Sequence, residues 1–163
     1  MPNWCNNTLN IYNSDKSKLD NLEEELKKEK AAEILQYLRP GPKEWDYMWS
    51  VENWGTKWDA RVIDYFRDGD NSISITFETA WGPPLALYSY LYESDEGWEI
   101  DAYYNEPGMC FAGTWYNGSD DLYEYAELSA DEIDEELPEE LNEMYAIAQY
   151  KRDWEEENEE EEN

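Results

Sequence analysis

Histidine is missing from this chain altogether. That removes the commonest general base and a major metal ligand, and it rules out Cys–His and Ser–His nucleophile pairs. Cysteine is nearly missing: Cys5 and Cys110 are too few for a disulfide framework. Basic side chains are scarce, 12 against 41 acidic ones, giving a formal net charge of -29. No apolar run comes near the roughly 20 residues that cross a bilayer. The N-terminus lacks the basic stretch and apolar run of a secretory signal. Neither the dinucleotide nor the P-loop glycine pattern occurs. Asp68 and Asp70 have the opening spacing of a calcium loop, but the acids and glycine that should follow are misplaced, which leaves a turn. With so many acids, carboxylate pairs picked out by eye select no glycosidase site. These absences predict a protein with no metal, no cofactor and no catalytic residues. It is expected to be soluble in a reducing cytoplasm, with both cysteines as free, mostly buried thiols.

What is present is aromatic and acidic. Nine Trp and 14 Tyr bring the aromatic share to 16%, too much for an acidic disordered chain. The charge is uneven. Residues 119–163 hold 20 of the 41 acids and two of the 12 bases, so the last third is a distinct electrostatic object. Such a charge repels nucleic acid and anionic membranes, and it attracts proteins whose working surface is basic.

Hydrophobic periodicity gives the element order. Residues 4–12 alternate as a strand. Asn13, Ser14 and Asp15 form a cap cluster, and a helix follows to about Leu38, where Pro40-Gly41-Pro42 stops it. Residues 45–58 hold four Trp with no period and read as an ordered loop. Strands are predicted over 60–66 and 72–79, with a turn over 68–71. Pro83 and Pro84 open a second helix to about Tyr92. Further strands are expected over 98–104, 109–116 and 122–127, the last two joined by the hairpin signal Asn117-Gly118-Ser119-Asp120. From Ser129 the pattern is helical, with Leu137, Leu141, Tyr145 and Ala148 as a narrow apolar stripe. Ser129 and Glu132 have capping-box spacing, and Pro138 starts a new segment. Like charges should fray the last stretch.

The expected fold is α+β: a ferredoxin-like βαββαβ antiparallel sheet with an extra hairpin and an acidic C-terminal helix. Helices cover one sheet face, and the aromatic loop is available for the other. The domains are residues 1–128, an acidic helical extension at 129–152 and an acidic disordered tail at 153–163.

Three strings carry a resemblance: Met-Pro-Asn-Trp-Cys-Asn-Asn at 1–7, Asn-Trp-Gly-Thr-Lys-Trp-Asp-Ala at 53–60, and Phe-Glu-Thr-Ala-Trp-Gly-Pro-Pro at 77–84. The Glu106-Pro107-Gly108 turn and Phe111-Ala112-Gly113 fit the same pattern. Over residues 1–118 the chain resembles the Api-ninety-two-like, or YubB-like, ferredoxin-like domains of phages and plasmids. The resemblance implies a phage or plasmid origin and a ferredoxin-like fold. It brings no catalytic residues with it, and the fold by itself selects no function.

Two function readings follow. The leading one is a phage-encoded, non-enzymatic interaction protein in the cytoplasm of a host bacterial cell. It would act as a DNA-mimic-type inhibitor of a host nucleic-acid-binding defence or repair protein, touching neither nucleic acid nor membrane itself. Duplex DNA presents one charge per about 1.7 Å of axis, and an Asp/Glu-lined helix can imitate that density. The expected contact surface is Glu135, Glu136, Glu139, Glu140 and Glu143, with Tyr145 and Trp154 as anchors. The alternative is a small-molecule or nucleotide-sequestering module built on Trp45, Trp49, Asn53, Trp54, Lys57, Trp58 and Trp81. Those tryptophans also read as a mini-core over the open sheet face. The acidic region also reads as a solubilising tail, or as a helix whose stripe Leu137, Leu141 and Tyr145 packs on the domain while the tail masks its few lysines.

Overall fold

The computed structural model describes residues 2–162. Six strands form one antiparallel open sheet in the order β2-β3-β1-β4-β5-β6. They are β1 (Trp4–Tyr12), β2 (Arg61–Asp68), β3 (Ser72–Ala80), β4 (Glu99–Glu106), β5 (Phe111–Tyr116) and β6 (Ser119–Glu124). Four helices lie among them: α1 (Lys16–Leu26), α2 (Ile34–Leu38), α3 (Tyr47–Asn53) and α4 (Leu85–Glu93). Three more follow the sheet: α5 (Ala130–Glu136), α6 (Glu139–Tyr145) and α7 (Ile147–Glu162). None of the described helices is long and apolar enough to cross a membrane.

The alternation of β1 sets both faces. Leu9 and Ile11 point one way, opposite Ile75 and Ile73 on β3 and Ala102 and Ile100 on β4. With Leu19, Leu22 and Leu26 of α1 and Leu87, Tyr88 and Leu91 of α4, they form the main core. Asn6, Thr8 and Asn10 point to the other face.

The single helix expected up to Leu38 is two. Residues 27–31 carry only charged side chains and alanine, with no apolar stripe to hold a helix on the sheet. Glu29 turns into the left-handed region at φ 55. A second start at α2 is possible because Asp59, far along the chain, accepts from the Leu35 and Gln36 N–H groups at 3.0 Å each. Nor is 45–58 a plain loop. Asp46 caps α3 by accepting from Trp49 N at 2.9 Å. The sixth strand begins earlier than expected, because only Asn117 and Gly118 make the turn, both at positive φ. Tyr116 then pairs with Ser119.

The largest difference is on the second face. The acidic C-terminal helices cover its β4–β5 side, through Ile133, Leu137, Leu141 and Ile147 packed with Ala112 and Tyr125. The aromatic segment does not take this place, because Trp54 is drawn into the main core. The expected disordered tail at 153–163 is instead helical through residue 162, as the end of α7. Contacts at its base hold it: Arg152 pairs with Asp131 and Asp134 of α5, and Glu155 accepts from Ala130 N. Asn163, the last residue of that tail, lies outside the described residues.

Candidate functional site

Ser129 and Glu132 complete the predicted capping box at the start of α5. Acidic side chains occupy the first turns of α5 and α6, where the helix dipole favours them. With Ile133, Leu137 and Leu141 turned to the sheet, Glu135, Glu136, Glu139 and Glu143 are left exposed on the outside. On the exposed edge strand β6, Asp121 lies on the sheet face that these helices cover, whereas Asp120 and Glu124 lie on the other. Little inside the layer neutralises these carboxylates. Arg152 is committed to Asp131 and Asp134, which raises its own pKa and holds the Asp134 carboxyl below the usual range. Lys151 lies over the Trp154 ring at 4.7 Å.

Three predicted contact residues have other engagements. Glu140 accepts from the Tyr103 hydroxyl at 2.8 Å, tying α6 to β4. Burial and this bond together raise the pKa of Tyr103. Burial also raises that of Asp101, and Glu140 adds to it. Tyr145 turns inward: its hydroxyl donates to the Tyr103 carbonyl at 3.0 Å and pairs with the Thr8 hydroxyl at 3.1 Å. Trp154 is 56% exposed but faces the inner side of α7.

The seven residues of the alternative site do not form one place. Trp45, Trp49 and Trp54 line a cavity of about 460 Å³. Lys57 and Trp81 line a separate one of about 270 Å³. Trp58 packs against Trp4 with ring centroids 6.3 Å apart, under Lys57. Most of their polar groups are used internally. Trp54 Nε1 donates to the Arg39 carbonyl, Trp45 Nε1 to the Lys57 carbonyl, and Asn53 Nδ2 to the Trp49 carbonyl.

The three strings behind the family resemblance meet at one end of the sheet. Asn7 Nδ2 donates to Thr79 Oγ1 at 2.8 Å, and the Thr79 hydroxyl donates to the Gly82 carbonyl at 2.6 Å. The Thr56 hydroxyl donates to the Ala80 carbonyl at 2.7 Å, and Trp81 N to the Asn3 carbonyl at 2.8 Å. Asn7, Thr79 and Cys5 are fully buried, and Glu106 beside them is 1% exposed. Burial, reinforced by Glu106, pushes the Cys5 thiol far up, so it stays protonated and unreactive. This cluster fastens the fold.

One feature was not legible from sequence. A cavity of about 650 Å³ lies between α7 and the second sheet face, lined by Asn6, Asn105, Tyr125, Tyr145, Tyr150, Lys151 and Trp154, with the 107–110 turn at its rim. The signals available were the polar alternation of β1 and the i, i+4 spacing of Tyr150 and Trp154. Neither said that the two surfaces face each other. Among the described residues, no group of three or more Cys, Asp or Glu is arranged to hold a metal ion. The chain matches no family model, no curated protein and no solved structure.

Proposed function

We propose that the chain is a phage-encoded, non-enzymatic interaction protein whose working surface is the outer side of α5–α7. Its partner is a host protein with a basic, nucleic-acid-binding surface, such as a defence or repair enzyme in the bacterial cytoplasm. Inhibition follows by occupying the nucleic-acid channel. One observation carries this reading. The layer is packed as an ordered helical surface, its carboxylates face outward, and both of its cations are already engaged. A solubilising tail needs no apolar anchoring, whereas a charge pattern that must fit a partner does. The strand order β2-β3-β1-β4, with α1 and α4 in the two crossovers, supports a ferredoxin-like reading of this part, extended by the β5–β6 hairpin.

Removing residues 129–163 is a poor test, because it uncovers Ala112, Tyr125 and Tyr103. The better variant is the full chain with Glu135, Glu136, Glu139 and Glu143 all changed to Gln. None of these four makes a bond to the sheet. Affinity capture from host lysate at low and moderate salt should retain a nucleic-acid-binding protein on the parent chain, release it with salt, and lose it with the variant. Equal capture by both chains removes the acidic layer from the account.

A further inference from the structure

We propose that the cavity between α7 and the second sheet face binds an uncharged planar heteroaromatic molecule bearing carbonyl acceptors, of nucleobase or nucleoside size. The site is distinct from the outward acidic surface and does not depend on it.

The volume, about 650 Å³, falls within the range of small-molecule sites. Its floor is polar and fixed. Asn6 and Asn105 are register partners on β1 and β4. Asn105 is 5% exposed, and its Oδ1 accepts from the Tyr125 hydroxyl at 2.6 Å. With Oδ1 engaged by that hydroxyl, the NH2 is the group left for a ligand. It has no hydrogen-bond partner among the described residues, and a ligand oxygen would complete it. Lys151 supplies a second donor at the wall.

The remaining walls are aromatic. Tyr150 and Trp154 stand one turn apart on α7 and remain 74% and 56% exposed, although both line a concave site. The Tyr150 ring, and the part of the Trp154 ring that Lys151 does not cover, suit a stacked heteroaromatic ligand. The rim is preformed: Glu106 accepts from Gly108 N at 2.7 Å and Met109 N at 2.8 Å. Cys110, at φ 58, accepts through its carbonyl from Tyr125 N at 2.9 Å.

Two features narrow the class. Among the described residues no Asp or Glu lines the cavity, in a chain with 41 of them. A carbohydrate, rich in hydroxyl donors, wants such acceptors, whereas a carbonyl-bearing ring wants donors. The net charge of -29 opposes phosphate-bearing ligands, which leaves nucleosides ahead of nucleotides.

The test is calorimetric titration of the full chain with uridine, guanosine, adenosine, uridine monophosphate and maltose. A parallel measurement follows maleimide labelling of Cys110, which sits at the rim. Uridine or guanosine should bind one per chain, more tightly than adenosine, which lacks a carbonyl. Binding should slow the labelling of Cys110. Trp154→Ala, at an exposed position that should still fold, should weaken binding at least tenfold, and Lys151→Met should weaken it less. The four-glutamate variant should bind the nucleoside as the parent does, so failure here is separable from failure of the acidic surface. No nucleoside binding at millimolar concentration overturns the proposal. So do unchanged binding by Trp154→Ala, a preference for maltose, or tighter binding of the monophosphate than of uridine.

Discussion

The hydroxyl of Tyr145 lies 3.1 Å from that of Thr8, 137 residues earlier in the chain, and 3.0 Å from the Tyr103 carbonyl it donates to. One side chain therefore joins the acidic layer to the central strand and its neighbour. Tyr145→Phe keeps the ring and removes the bond. The Tyr103 carbonyl keeps its place in the ladder between β1 and β5, so what is lost is one hydrogen bond, about 0.5–1.5 kcal/mol. Urea unfolding should show a loss of that size, and a double-mutant cycle with Thr8→Val should show coupling between the two positions. Additive effects would mean that the hydroxyl pair contributes nothing.

Gly113 on β5 is the place where the Tyr104 ring crosses the sheet surface. A Cβ there would meet that ring and stand 2.6 Å from the Asp121 carbonyl. The Tyr104 hydroxyl is held by Asp120 at 2.7 Å, so the ring has little room to retreat. Gly113→Ala should destabilise the chain by about 1–3 kcal/mol through overpacking. Thermal unfolding of the parent and variant measures it.

The two thiols should differ sharply in reactivity. Cys5 is fully buried and its pKa is raised by burial and by Glu106, whereas Cys110 is partly exposed at the cavity rim. At neutral pH, a disulfide reagent should titrate one thiol quickly in the folded chain and the second only on unfolding. Cys110→Ser should abolish the fast phase. A fast phase that survives this change would place Cys5 within reach of solvent.

Asp59 carries a pH signature. Its carboxyl is held above the ordinary range by burial, and this outweighs the N–H donors of Leu35, Gln36 and Ala60, which pull it down. A carboxyl raised in the folded state contributes most below its unfolded pKa. That contribution is lost as pH rises through the folded value. Relative to Asp59→Asn, the parent should therefore lose stability as pH rises from the ordinary carboxylate range through that raised value. Urea midpoints across that window give the comparison, and a pH-independent difference between the two chains would contradict the assignment.

The strands were legible in the sequence because β1, β3 and β4 alternate cleanly, with Leu9, Ile11, Ile73 and Ile75 on one face. The break between α1 and α2 was not, because the cap that restarts the helix comes from Asp59, remote in sequence. The stripe Leu137, Leu141 and Tyr145 was legible as apolar, with packing on the domain as one of its readings, but not the strands it would meet. Only the register of Thr8, Tyr103 and Ala112 places a second packing surface there. Charge clustering in residues 119–163 was visible at once. The inward turn of Tyr145 and the cavity beside Trp154 arise from the fold of α6 against α7 at Ala146, which sits at φ 51. No local pattern announces that corner.

The central claim is that the α5–α7 surface occupies a basic nucleic-acid site, and direct competition tests it. Once a partner is captured, its affinity for duplex DNA should be measured with and without the full chain across a range of salt. The account predicts mutually exclusive binding, an affinity for the chain that falls steeply with salt, and loss of competition when Glu135, Glu136, Glu139 and Glu143 become Gln. A ternary complex of partner, DNA and chain, or competition untouched by the four substitutions, would contradict it.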